Sequence, residues 1–110
     1  MEEEGLFIKN VNQIIQKNLG HPNLKGAFIA QKLCINRMQL HRKLKKSVKE
    51  NARTYILNFR IAYAKRELIH TSKYIYDIAK ELGFKDYTHF SKVFKKTTHF
   101  SPSEFRKQHI

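Results

Sequence analysis

The chain has 110 residues, 41% of them hydrophobic, and sets 22 Lys/Arg against 9 Asp/Glu for a formal charge of +13. That length suits one compact domain, or two very small ones sharing a helix, and the apolar content supports a modest core rather than wholesale disorder. The charge is beyond the magnitude of about 2–8 that serves solubility in a small domain, so it implies a polyanionic partner: DNA, RNA or an acidic membrane surface.

Along the chain the apolar spacing is helical almost throughout, and no strand signal stands out. Phe7, Val11, Ile14, Ile15 and Leu19 make one face of a first helix that ends near Gly20-His21-Pro22. A second helix, from about Lys25 to Leu33, buries Phe28, Ile29 and Leu33. Asn36 is a good N-cap for a third, whose apolar side is Leu40 and Leu44. A long helix from about Asn51 to His70 follows, with Tyr55, Ile56, Phe59, Tyr63, Ala64 and Leu68 on its inner face. Ile75 to Leu82 forms a fifth helix, stopped by Gly83; Asp86 caps a sixth that buries Phe90, Val93 and Phe94. Ser101-Pro102-Ser103-Glu104 is a capping box with proline at the first helical position, opening a last helix through Phe105. The expected fold is therefore all-α: seven helices in two helix-turn-helix subdomains, about residues 6–50 and 71–110, joined by a linker helix at about 51–70.

The two subdomains are copies. Ile29, Ala30 and Leu33 match Ile78, Ala79 and Leu82 at an offset of 49. After the turn the offset becomes 50, so Asn36, Leu40, Leu44 and Lys45-Lys46 match Asp86, Phe90, Phe94 and Lys95-Lys96. The second turn is one residue longer. In such a motif the first helix braces the second across an apolar seam, and the second projects into a major groove about 12 Å wide. Ala30 and Ala79 are the small residues at the crossing. The outer positions are then Arg37, Met38, His41, Arg42 and Lys45 on the first reading helix, with Tyr87, Thr88, Ser91, Lys92 and Lys95 on the second.

Their chemistry differs. Arg42 can pair bidentately with guanine or clamp a phosphate, His41 can donate or accept at a base edge, and Met38 can touch a thymine methyl. Thr88 and Ser91 are short and nonselective, while Tyr87 and Lys92 suit phosphates or water-mediated contacts. The first copy is thus expected to read and the second to hold. Lys46 and Lys96 complete the expected DNA-binding set on the phosphate side.

The second half, from Ile78-Ala79-Lys80-Glu81-Leu82-Gly83-Phe84 through Phe90-Ser91-Lys92-Val93-Phe94-Lys95-Lys96 to Ser101-Pro102-Ser103-Glu104-Phe105-Arg106, closely resembles the signature of AraC/XylS-type transcriptional regulators. The resemblance covers roughly Leu24 to Arg106, and Arg60 and Ala64 sit where the family usually has Arg and Ala. The wording from Asn36 to Lys45 is most similar to the DNA-binding ends of hybrid two-component regulators of Bacteroidetes-type bacteria. It implies a seven-helix fold with two reading helices in successive major grooves of double-stranded DNA. It also implies RNA polymerase, or a further effector, receiver or dimerisation domain of the intact protein, as a partner. By carry-over, Met38, His41 and Arg42, with Tyr87, Thr88, Ser91 and Lys92, are the base-reading positions. The chain departs from the family at Lys49 and His99, where a glycine commonly follows each reading helix, and at Lys25, where a serine-type cap is usual.

Other readings are weaker. No nucleophile–base set, phosphate loop or carboxylate pair points to an enzyme, and the six histidines show no metal-ligand spacing, so neither cofactor nor metal is expected. Phe90, Phe94, Phe100 and Phe105 fit a core better than a stacking platform. Cys34, aligned with Gly83, is expected to be a small, partly buried turn residue; a lone cysteine also excludes an intramolecular disulfide and fits a reducing cytoplasm. No apolar run approaches the roughly 20 residues of a membrane helix, and no signal peptide follows Met1, so a cytoplasmic location without membrane contact is expected. A nonspecific nucleic-acid or RNA-associated basic module stands as the alternative function.

Overall fold

The computed structural model describes residues 2–109, and every regular element among them is a helix. In chain order these are α1 (Glu2–Lys17), α2 (Gly26–Lys32), α3 (Arg37–Val48), α4 (Ala52–His70), α5 (Ile75–Glu81), α6 (Tyr87–Thr98) and α7 (Pro102–Gln108). They form two compact units, Met1–Phe59 and Arg60–Ile110, so the division falls inside α4.

The first unit is built on helical spacing. Val11 and Ile15, one turn apart on α1, are wholly buried against Leu24, Ile29, Ala30, Leu40, Leu44 and Ile56. Phe7, Ile14, Leu19, Phe28 and Leu33 are only partly buried around that centre. Gly26 lets α2 start close to α4, because a Cβ there would lie 3.3 Å from the Cβ of Ala52. Tyr55, half-buried on α4, donates its hydroxyl to Asn12 Oδ1 at 2.6 Å. α1 stops at Lys17, short of Gly20. Asn18 turns its side-chain amide back onto the Ile14 carbonyl at 2.7 Å, and the chain then leaves through the turn that brings Leu24 inside.

In the second unit Ile61, Ala64 and Leu68 of α4 are buried, as are Ile78, Ala79, Leu82, Phe90, Phe94, Pro102 and Phe105. An aromatic series runs through the unit: Phe84 to Phe90 at 5.1 Å, Phe90 to Phe94 at 5.8 Å, Phe94 to Phe105 at 5.4 Å. The Arg106 guanidinium then locks the segment between α4 and α5. It donates to the carbonyls of Leu68 (3.0 Å), Thr71 (3.3 Å) and Lys73 (2.7 Å), groups left without helical partners where α4 ends.

Several details differ from the sequence reading. Val93 of α6, like Phe28 of α2 and its C-cap Leu33, is only partly buried, because the buried stripe of each helix is narrower than its apolar spacing. Ile61 is buried although the expected inner face of the long helix omitted it. The burial from Ile56 to Ile61 is five residues, so a single i, i+4 stripe does not run through both units. Phe100 is exposed rather than core, because it sits in the bend after α6 where the backbone turns on Thr98. Cys34 is exposed rather than partly buried.

Candidate nucleic-acid interface

Each reading helix is presented by the same hydrogen-bonded turn. In the first unit Cys34 N–H donates to the Gln31 carbonyl at 3.1 Å and Ile35 N–H to the Ala30 carbonyl at 3.0 Å. In the second, Gly83 N–H donates to Lys80 at 3.0 Å and Phe84 N–H to Ala79 at 3.1 Å. This is a Schellman closure, which needs a left-handed residue just past the helix. Cys34 supplies it with φ 57° and Gly83 with φ 83°. The matching bonds carry the offset of 49 through Ile35 and Phe84, so the extra residue of the second turn is Lys85.

The helices that follow are capped from their side chains. Asn36 Oδ1 accepts from Gln39 N–H at 2.8 Å while Gln39 Oε1 accepts from Asn36 N–H at 3.0 Å, a reciprocal capping box. Asp86 Oδ1 accepts from His89 N–H at 2.7 Å. At the far ends Lys49 (φ 62°) and His99 (φ 71°) take the left-handed cap themselves, bonding back to Lys45 and Lys95. The glycine-type geometry is kept without glycine. At α2 the cap position, Lys25, gives no side-chain hydrogen bond.

On α3, Leu40 and Leu44 are buried and Arg37, Met38, His41, Arg42, Lys45 and Lys46 are all exposed. Met38 is 73% exposed, an open apolar side chain among cations. On α6, Phe90 and Phe94 are buried, Tyr87, Thr88, Lys92, Lys95 and Lys96 are exposed, and Ser91 is half-buried. The α3 face is made of long donors and the α6 face mixes hydroxyls with lysines. Lys43 leaves this surface, placing its ammonium 5.4 Å from the Phe7 ring centre.

Two features were not read from the sequence. Glu4, at the acidic start of α1, pairs with Lys46 at 3.1 Å, so one expected phosphate contact already has an intramolecular partner. The Lys46 ammonium is the first cause holding the Glu4 carboxyl below its ordinary range. The sequence separation of these residues hides the pairing, which only the packing of α1 along α3 reveals. Second, a wide open depression in the first unit is lined by Ala27, Ala30 and Gln31 of α2 together with Asn36, Arg37 and Met38. The bracing helix thus shares a surface with the start of the reading helix.

Elsewhere in the second unit Lys73 bridges Glu67 and Glu81, at 3.1 Å each. A hydrogen bond from Tyr63 and then Lys73 hold Glu67 below the usual carboxylate range. Among the described residues no three His, Cys, Asp or Glu side chains converge as a metal site, and no helix is long and apolar enough to cross a membrane.

Residues 29–108 match the family described as "Helix-turn-helix domain". The chain is 33% identical over 102 residues to the Msm operon regulatory protein of Streptococcus mutans, covering 93% of this chain and 36% of that protein. It is 32% identical over 99 residues to the arabinose operon regulatory protein of Escherichia coli, covering 90% and 34%. It thus spans about a third of the length of these curated relatives. Among solved structures it resembles a transcriptional regulator with an AraC-type DNA-binding domain from Chromobacterium violaceum, with a TM-score of 0.89, 27% identity and coverage of 99% and 96%.

Proposed function

The chain belongs to the AraC/XylS family of helix-turn-helix transcription regulators, and from that premise we propose that it binds double-stranded DNA sequence-specifically to control transcription. The observation that carries this reading is the duplicated presentation of α3 and α6, each anchored by two buried residues and each turning a polar, cationic face outward. Each reading helix enters a major groove. Met38, His41 and Arg42 contact base edges; Tyr87, Thr88, Ser91 and Lys92 make the shorter or water-mediated contacts; Arg37, Lys45, Lys46, Lys95 and Lys96 pair with phosphates.

Two further solved structures that the chain resembles, from Fusobacterium nucleatum (27% identity, TM-score 0.81) and Geobacillus stearothermophilus (25% identity, TM-score 0.86), are C-terminal domains of response regulators. By analogy this chain is the output end of a cytoplasmic signalling protein, working with a receiver or effector domain and RNA polymerase. In vitro selection of bound duplexes tests the central reading. Two enriched half-sites about one helical turn, or 10–10.5 bp, apart support it. Equal affinity for selected and scrambled duplexes across a salt titration would instead mark a nonspecific basic module.

A further inference from the structure

We propose that Tyr76 and Lys80, on the bracing helix α5 rather than on a reading helix, form a second DNA-backbone clamp that the first unit lacks. The inference rests on the DNA-binding reading and extends the contact surface beyond α3 and α6. In the first unit, Ala27 and Gln31 of α2 line one depression together with Arg37 and Met38, so that side of the bracing helix faces whatever the start of α3 faces. Both bracing helices close with the same pair of hydrogen bonds, so the offset of 49 matches positions on α2 to positions on α5. Tyr76 stands where Ala27 stands and Lys80 where Gln31 stands.

The substitution changes the chemistry of the spot. A methyl and a neutral amide are replaced by a phenol and an ammonium, both of which donate to phosphate oxygens. Tyr76 is 62% exposed, and Lys80 is exposed too. They lie one turn apart, opposite the buried Ile78, so neither is needed to fill the core. Glu81 is paired with Lys73 at 3.1 Å, and the exposed Asp77, three residues before Lys80 on the same helix, makes no ion pair with it among the described residues, so Lys80 is open to an external anion. A first helix that crosses the sugar–phosphate backbone meets phosphates, not bases. The clamp therefore adds affinity without adding sequence preference.

Fluorescence anisotropy on two duplexes, one recovered by selection and one scrambled, tests this with Lys80→Gln, Tyr76→Phe and the reciprocal Gln31→Lys. Lys80→Gln should weaken both duplexes by the same factor, roughly three- to tenfold, and reduce the slope of log K against log salt by about 0.9. Tyr76→Phe should weaken both roughly threefold with little change in slope, since it removes a neutral donor. Gln31→Lys should tighten both and steepen the slope by about 0.9. Unchanged affinity and slope in Lys80→Gln, or a loss confined to the selected duplex, overturns the clamp. A wild type that fails to distinguish the duplexes sinks the specific-binding reading instead, and the Lys80 comparison still decides the clamp. Thermal melts of the three variants should match wild type, because all three side chains are outside the core.

Discussion

Replacing Arg106 by Ala removes three hydrogen bonds at once and leaves three carbonyls at the α4–α5 junction to find other partners. A hydrogen bond to a charged group is worth about 1.5–3 kcal/mol when shielded from water. The Lys73 carbonyl is exposed and water replaces that bond, and the 3.3 Å contact to Thr71 is long. The Leu68 carbonyl is part-buried and loses its guanidinium donor, so the net cost is about 2 kcal/mol. For a unit of this size that lowers Tm by roughly 10 °C. Urea unfolding followed by circular dichroism measures the loss, and native-state hydrogen exchange locates it within residues 60–110. Arg106→Lys, which can restore one bond, should recover part of it. If Arg106→Ala unfolds within about 0.5 kcal/mol of wild type, the junction is held by packing alone and the argument fails.

Arg42→Ala should cost about 1–3 kcal/mol on a selected duplex and flatten base preference at one position, whereas Lys96→Ala should weaken all sequences alike; competition binding with single-base variants separates the two. Cys34→Gly should stabilise the first unit and Gly83→Ala destabilise the second, each by about 1 kcal/mol, because both positions are left-handed and only one has glycine; denaturant midpoints report the signs. The backbone N–H of Ser101, first among its causes, holds the Glu104 carboxyl below its ordinary range. Its contribution is full above the usual Glu pKa of about 4.3 and is lost as pH falls through the lowered native value. Glu104→Gln should therefore flatten the acid limb of a pH–stability curve.

Much of this fold was legible because local signals agree. Asn36, Asp86 and Ser101 cap the helices that their spacing announces, and the buried pairs Leu40/Leu44 and Phe90/Phe94 fall on one face of their helices. The long helix was legible in extent but not in its packing. Its two halves serve different cores, and Ile61 belongs to the second. Lys49 and His99 show the limit of residue statistics: a left-handed cap costs a side chain something, but the bonds to Lys45 and Lys95 hold it in place. The outer faces could be drawn from helical period alone, whereas the Glu4–Lys46 pair could not. It joins residues 42 apart through tertiary packing that no local pattern encodes.

The proposed division of labour between the units cannot be one of charge. The first has eleven Lys/Arg against four Asp/Glu and the second eleven against five, so their pull on a polyanion is nearly equal. What differs is reach and planarity. α3 offers an arginine fork, an imidazole and an open thioether at Arg42, His41 and Met38, the equipment for distinguishing base edges. α6 offers Lys92, Ser91 and Thr88 at the same places, and its bracing helix adds Tyr76 and Lys80 where α2 has Ala27 and Gln31. In the proposed reading, each exchange along the repeat trades a side chain suited to base edges for one suited to phosphates. If that is the physical logic, exchanging Arg42 and Lys92 between the helices should move sequence preference from one half-site to the other while leaving the salt slope almost unchanged. A selection experiment on the double variant that enriches the original half-site would show that preference lies in the scaffold and not in these side chains.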